Sequence, residues 1–368
     1  MKLALLSARS DIHTVRWVNA LADRGHDVHL FTMHPGGDPL REEVEVHELR
    51  FSAPLGYFLN AWSLRRQLRR LRPDVFHAHF ASGYGTLGRL SGHHPFVLSV
   101  WGRDVYEFPY RSWVHRKVLQ ANLRKADYVC STSHVMAEQT RSLCPNLDEI
   151  TVTPFGIDKT RFEPKPDQSS PAGVITMGTV KKLRPKYGID VLLRAFARAR
   201  DQWQRRRQVE QGGAMDTLRL LIVGEGPQRD QLEALSRRLG IGEATTFTGA
   251  VPHAEVPAYL NRLDVYAAVS RSESESFGVA ILEASACGRP VVVSDVGGLP
   301  EVVEHETTGL IVERENPEAT AEALLSLAGD AALRAELGNA GRRHVLDHYE
   351  WESNVSLMEE EVYRRIAS

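Results

Sequence analysis

The chain alternates short apolar runs with helical stretches, and it does so twice. In the first half the runs fall at 3–7, 27–32, 74–79, 96–101, 128–132 and 150–154; in the second they fall at 174–180, 218–227, 244–251, 265–270 and 290–295. Between them lie stretches of helical period such as 15–25, VRWVNALADRG, which stops at a glycine as helices often do. Strands that alternate with helices can bury both faces only in a doubly wound parallel sheet, so the pattern predicts two α/β units. The segment 159–171, KTRFEPKPDQSSP, is poor in apolar residues and holds three prolines, which predicts a linker. The expected domains are 1–158 and 172–349, with an amphipathic terminal helix at about 350–368. At 368 residues the chain exceeds one comfortable core. The polar stretch 200–216 reads as an insertion.

Composition removes several classes. A hydrophobic content of 42% and a charged content of 25% are those of a globular protein. No apolar run approaches eighteen residues, and residues 1–6 lead straight into a strand with no leader profile, so no spanning segment is expected. Cys130, Cys144 and Cys287 are few, odd in number and scattered, which fits the reducing cytoplasm; Cys287 reads as core packing. The net charge of -2 hides an asymmetry: 22 Lys and Arg face 18 Asp and Glu up to Ala172, and 23 face 29 beyond it. A basic first half and a mildly acidic second half point to different partners for the two.

The most informative local run is Glu275-Ser-Phe-Gly-Val-Ala-Ile-Leu-Glu283. A polar loop enters an apolar helix near Gly278, which would leave the amides of Ser276, Phe277, Gly278 and Val279 as donors at a positive helix end, suited to a diphosphate. The two carboxylates flank that site, at most about 12 Å apart along a fully helical span. One suits the hydroxyls of a hexose and the other those of a ribose. The competing view is a pair of ordinary acids complementing a helix dipole. A second anion site is signalled by Gly178-Thr-Val-Lys181-Lys-Leu-Arg-Pro-Lys186-Tyr-Gly188, a strand running into a glycine-bounded cationic loop. Gly224-Glu-Gly-Pro227 ends another strand at the carboxyl edge, where open sheets bind ligands.

With the loop SESFG before it and the strand CGRPVV after it, the Glu275–Glu283 spacing resembles the signature of retaining glycosyltransferase family 4, enzymes of the GT-B fold. The resemblance covers most of the chain and is strongest from Gly173 to about Gly341. It implies two Rossmann-like doubly wound domains facing a central cleft, a terminal helix returning to the first domain, and a nucleoside diphosphate sugar (UDP- or GDP-linked) as donor. By this resemblance Glu275 holds sugar hydroxyls, Glu283 holds the ribose, and backbone groups near Val251 meet the base. Lys181 and Lys186 keep the family's five-residue interval and would stabilise the diphosphate, although Tyr187 separates Lys186 from Gly188, one residue more than usual. The chain has no Asp-x-Asp pair, so metal independence is expected, with no cofactor.

The run Asp74-Val-Phe-His77-Ala-His79 resembles the H-x-H run of sucrose-phosphate-synthase-like members, in which the second His reaches the sugar. This nominates His79, with His77 as a strand-packing residue on the same face. Two departures stand out. The glycine pair that opens many relatives is replaced by Ser7-Ala-Arg-Ser-Asp-Ile-His13, and Trp101 stands in Ser99-Val-Trp101-Gly-Arg-Asp104 where many have His. Trp can stack on a sugar and donate its N–H but cannot orient a hydroxyl as imidazole does, so acceptor recognition by His13, Trp101 and Asp104 is expected to have diverged.

The segment 58–72, FLNAWSLRRQLRRLR, holds five arginines in its last eight positions. As a helix it places Ala61, Leu64, Leu68 and Leu71 on one face and Phe58, Trp62, Arg65, Arg66 and Arg69 on the other. That suits peripheral contact with an anionic membrane, and it equally suits a solvated basic face with Trp62 packed on a neighbour. No nucleic-acid module accompanies it. The leading expectation is a hexosyltransferase acting on a saccharide or lipid-linked acceptor of the cell envelope, in the cytoplasm or at the inner membrane face. The alternatives are a nucleotide-sugar epimerase of the same architecture and a non-catalytic nucleotide-sugar-binding subunit.

Overall fold

The computed structural model describes residues 1–147, 149–209 and 216–367. Among these, the six first-half runs form parallel strands β1 (Lys2–Leu6), β2 (Asp27–Thr32), β4 (Val75–His79), β5 (Phe96–Val100), β6 (Tyr128–Ser131) and β7 (Ile150–Val152), and a strand outside those runs, β3 (Glu45–Glu48), joins them. The second half supplies β8 (Val174–Val180), β9 (Thr217–Val223), β10 (Thr245–Gly249), β11 (Val265–Ala268), β12 (Val291–Ser294) and β13 (Leu310–Val312). The sheet orders are β3-β2-β1-β4-β5-β6-β7 and β10-β9-β8-β11-β12-β13. Both are doubly wound, and each reverses direction beside its first strand. Central strands such as β4, β5 and β11 are buried along their whole length, which is why they read as continuous apolar runs rather than alternating ones.

The chain divides into two units, Met1–Phe155 with Glu352–Ser368, and Gly156–Trp351. Helix Trp351–Met358 and the π-helical turn Glu359–Tyr363 are tied into the first unit by Arg24, which donates to Glu352 (2.9 Å) and Glu359 (2.7 Å). The phenol of Tyr363 adds a 2.8 Å hydrogen bond to His77 Nδ1. The proline-containing segment 159–171 belongs to the second unit. There Lys165 N–H donates to Asn261 Oδ1 (2.7 Å), and Asn261 Nδ2 donates to the Glu163 carbonyl (3.0 Å).

Two sequence readings are corrected. The stretch 200–216 is no simple insertion: helix Ile189–Val209 runs through its first part, where Trp203 is buried and donates its indole N–H to the Asp216 carbonyl at 2.8 Å. Residues 210–215 lie outside the described set. The segment 58–72 is two helices, Gly56–Leu59 and Ala61–Leu71, rather than one. The buried Asn60 joins them, donating to the carbonyls of Phe51 (2.7 Å) and Gly56 (3.0 Å). Leu64 and Leu68 are fully buried, as the wheel required, and truncating either to Ala would cost about 2–5 kcal/mol. The three cysteines are free and buried. No helix among the described residues is long and apolar enough to cross a membrane.

Candidate active site

In an open α/β sheet, ligands settle at the carboxyl ends of the strands where their order reverses. In the second unit that point lies between β8 and β11, which pair through Val265 with Met177 and Tyr266 with Gly178. Lys181 immediately follows β8, and the loop after β11 carries Glu275. The topology therefore unites two residues 94 positions apart: Lys181 Nζ lies 2.6 Å from Glu275 Oε1. Lys186 Nζ lies 3.8 Å from the other oxygen, Oε2. The side chains of Lys181 and Glu275 are only 10% and 9% exposed. Burial opposes the Lys181 charge, but Glu275 and the phenols of Tyr266 and Tyr187 outweigh it and hold the ammonium above its usual pKa. Burial conversely pushes the Tyr266 phenol up to about 12.

One carboxylate shared by two ammonium groups leaves one net positive charge. Desolvating such a cluster costs several kcal/mol per ion and is recovered only where the geometry is good. The ring of Tyr187 contributes here, with Lys181 Nζ 4.9 Å and Lys186 Nζ 4.8 Å from its centroid. The residue that lengthens the loop is thus the one on which both cations rest.

The loop after β8 is clamped to the loop after β9. Lys181 N–H donates to the Val223 carbonyl (2.9 Å), and Leu183 N–H donates to that of Glu225 (3.0 Å). This close approach requires Gly224, whose φ is +145° and where a Cβ would overlap the Lys181 carbonyl oxygen. Gly224, Val251, Lys181 and Pro227 share the lining of a cavity of about 390 Å³.

The predicted helix starts at Val279 and runs to Ala286, capped by Gly278 at φ +82°. Ser276 and Phe277 precede it, and Phe277 is buried. Glu275 therefore lies in the loop and Glu283 within the helix. Glu283 is also buried, but it is not part of the lysine cluster: its Oε1 lies 2.8 Å from His253 Nε2. His253 was not anticipated, and neither was Tyr266. The only available signal for His253 was its place two residues after Val251.

In the first unit, the ends of β4 and β5 carry His79 and Trp101. Their rings stack with centroids 4.3 Å apart, and Trp101 meets Phe155 edge-on at 5.4 Å. His13, in the first turn of helix Ile12–Asp23, stacks on Phe155 at 4.1 Å. Burial first, then neighbouring His77 and His13, hold His79 well below the ordinary imidazole range, so it is neutral, and its buried Nδ1 has no hydrogen-bond partner among the described residues. His77 is satisfied on both nitrogens, by Tyr363 and by Ser99 Oγ (2.7 Å), and burial takes it down to about 3. Asp104 is buried and accepts from the amides of Ala81 (2.7 Å), Gly102 (2.8 Å) and Trp101 (3.2 Å). It shapes the two loops around Trp101. A cavity of about 620 Å³ lies beside it, lined by Tyr57, Phe58, Tyr84, Phe108 and Arg111 among others.

Residues 161–344 match the family described as glycosyl transferases, group 1, and residues 2–133 match the family described as glycosyl transferase 4-like. The chain belongs to the group 1 glycosyl transferases. This glycosyltransferase is 32% identical over 283 residues to the GDP-mannose-dependent alpha-(1-6)-phosphatidylinositol monomannoside mannosyltransferase of Mycolicibacterium smegmatis, covering 73% of this chain and 69% of that protein. Among solved structures, it is similar to a sucrose-phosphate synthase from Thermosynechococcus elongatus (TM-score 0.82, 24% identity, 99% of this chain and 98% of that one). It is also similar to Anabaena HepE in complex with UDP-glucose (TM-score 0.80, 18% identity, 99% and 100% covered). Both likenesses establish the GT-B fold of this glycosyltransferase.

Proposed function

We propose that this glycosyltransferase is a retaining, metal-independent enzyme that moves a hexose from a nucleoside diphosphate sugar to a hydroxyl of a lipid-linked or envelope saccharide. The observation that carries this reading is the Lys181–Glu275–Lys186 cluster, built around a buried carboxylate at the strand-order reversal and beside a cavity large enough for a nucleoside. When the glycosidic bond breaks, negative charge grows on the leaving diphosphate. Lys181 and Lys186 supply fixed cations for it, in a site where their attraction is little screened. Glu275 keeps both cations in place before the donor arrives and offers its acceptor oxygens to the sugar hydroxyls afterwards. Glu283, oriented by His253, accepts from the ribose. A retaining course follows if a donor phosphate oxygen takes the acceptor's proton on the face the diphosphate leaves.

The acceptor reading rests on the first unit. Phe58 and Val114 line the larger cavity and are themselves 57% and 48% exposed. Around them Leu55, Trp62 and Trp113 are exposed at 68%, 72% and 77%. Arg66 lies over the Trp62 ring at 5.7 Å. Aromatic and apolar groups at a cavity mouth, with arginines beside them, suit a pocket that opens towards lipid headgroups. The relative named above acts, by its name, on a phosphatidylinositol mannoside.

The test offers UDP- and GDP-hexoses to the purified protein with and without a lipid-linked saccharide, following nucleotide release and glycan mass together. Equal release of nucleotide and gain of one hexose is expected. Release of nucleotide with no glycosylated product would favour the epimerase reading.

A further inference from the structure

A second cluster of chemistry-bearing residues lies in the first unit, on the short edge strand β3. Strands β2 and β3 pair in parallel, with His29 opposite Glu45 and Phe31 opposite His47. Alternation puts His29, Glu45 and His47 on one face of the two strands. His29 Nδ1 lies 3.1 Å from His47 Nε2 and 3.3 Å from Glu45 Oε2, while His47 Nε2 lies 3.5 Å from Glu45 Oε1. We propose that His29, Glu45 and His47 form a binding site for one divalent transition-metal ion, zinc by its donor chemistry, that clips the edge strand to the sheet.

Geometry is the main argument. Tetrahedral zinc with bonds of about 2.0–2.1 Å separates its ligand atoms by roughly 3.3–3.4 Å. The two nitrogens stand 3.1 Å apart, each has its own Glu45 oxygen at 3.3 Å (Oε2) or 3.5 Å (Oε1), and one ligand atom from each residue lies within 4.8 Å of the others, so a modest turn of the exposed Glu45 carboxylate completes the set. Two imidazoles and one carboxylate are a zinc donor set, and they are a poor one for calcium or magnesium, which need oxygen ligands.

The rings are also preset. Asp27 Oδ1 lies 3.1 Å from His29 Nε2, so a carboxylate stands beside the ring nitrogen that does not face the cluster. His47 stacks on Phe31 with ring centroids 4.4 Å apart and planes 14° from parallel. His29 is buried, whereas the Glu45 side chain is 63% exposed, so an ion enters from the Glu45 side and keeps a water in its fourth position.

The consequence is mechanical. β3 has four residues, Glu-Val-His-Glu, and pairs with one neighbour only. An ion bridging β2 and β3 adds a tie that its backbone bonds and sparse apolar side chains do not supply.

The test is a titration of the whole, metal-stripped protein with Co²⁺, followed by its visible spectrum and then by displacement with Zn²⁺. One Co²⁺ per chain is expected, with the intense bands of a four-coordinate ion. His47→Ala and Glu45→Gln should each weaken binding at least tenfold, the scale on which even outer-shell partners act. His115→Ala, at a half-buried histidine elsewhere, should leave it unchanged. Zn²⁺ should raise the melting temperature of the wild type and not of either variant. Circular dichroism in chelator checks that the variants fold, and Glu45→Gln, at an exposed position, carries the test if His47→Ala does not. Unsaturable binding with the spectrum of hydrated Co²⁺, or wild-type binding by the variants, would overturn the proposal.

Discussion

Replacing Lys181 with Met separates the structural from the chemical role of the lysine–glutamate cluster. In the wild type the buried Glu275 carboxylate is held by Lys181 at 2.6 Å and faced by Lys186 at 3.8 Å. Lys181→Met keeps the volume of the stem but leaves the carboxylate with the more distant and more exposed partner. Removing one member of a buried pair costs about 3–5 kcal/mol, and the remaining lysine places this case near the lower end. At about 2–4 °C per kcal/mol for a unit of this size, the second unit should melt roughly 6–12 °C lower. Adding Glu275→Gln removes the stranded charge, so the double variant should regain most of the loss. Turnover behaves differently. Both variants lack the cation proposed to meet the leaving diphosphate, and on that reading both should fall by about 10²–10³ in kcat, the scale for removing one transition-state donor. Calorimetry on the three proteins, with nucleotide release measured on the same samples, gives both readouts. A single variant as stable as wild type would refute the buried-pair energetics, and a double variant with wild-type turnover would refute the catalytic role.

Glu283→Gln keeps shape and loses an anionic acceptor, so donor affinity should drop by about 1.5–3 kcal/mol in isothermal calorimetry with the fold intact; an unchanged affinity removes Glu283 from the ribose. On the proposal that Lys181 and Lys186 carry the leaving-group charge, EDTA should leave transferase activity in place; activity lost in chelator and restored by magnesium or manganese contradicts it. Acid should destabilise the first unit. His77 and His79 stay neutral in the native state far below the ordinary value of about 6.5, so the unfolded chain binds two more protons and stability falls as pH drops below it, by about 1.4 kcal/mol per unit for each. Urea midpoints from pH 7 to 5 should show this slope, and His77→Phe should remove about half of it. Vesicles of rising anionic content should sediment the protein at low salt, with loss in the Arg65, Arg66 and Arg69 to Glu triple variant; each Arg contributes about 1 kcal/mol, and absence of sedimentation for both proteins would favour a soluble acceptor.

What could be read from the sequence follows from where each strand lies. Interior strands of a parallel sheet are covered on both faces, so 74–79, 96–101 and 265–270 announce themselves as apolar runs. β3 and β13 sit at the edges, where one flank has no partner. Glu-Val-His-Glu carries charge at both ends, and Leu310–Val312 is three residues long. Neither reaches the contrast that a periodicity argument needs. The edge strand that escaped detection also bears Glu45 and His47, whose polar groups keep access to solvent there, while their partner His29 lies buried on the neighbouring β2.

The site divides along the same physical line. Gly224, Gly278 and the 275–283 run were legible because backbone geometry leaves a local mark: a glycine where φ is positive, a polar loop before an apolar helix. The pairing of Lys181 with Glu275 was not, since it exists only once β8 and β11 lie side by side. Lys186 is nominated for a diphosphate, and it leans towards the same carboxylate as Lys181. On the mechanism proposed above, a donor's diphosphate would compete with Glu275 for the two cations, and each lysine–carboxylate contact it weakened would free an oxygen of Glu275 for a sugar hydroxyl. Diphosphate binding and sugar recognition would then be coupled through one side chain, so a nucleoside diphosphate without its sugar should leave Glu275 on the lysines more often than the intact donor does.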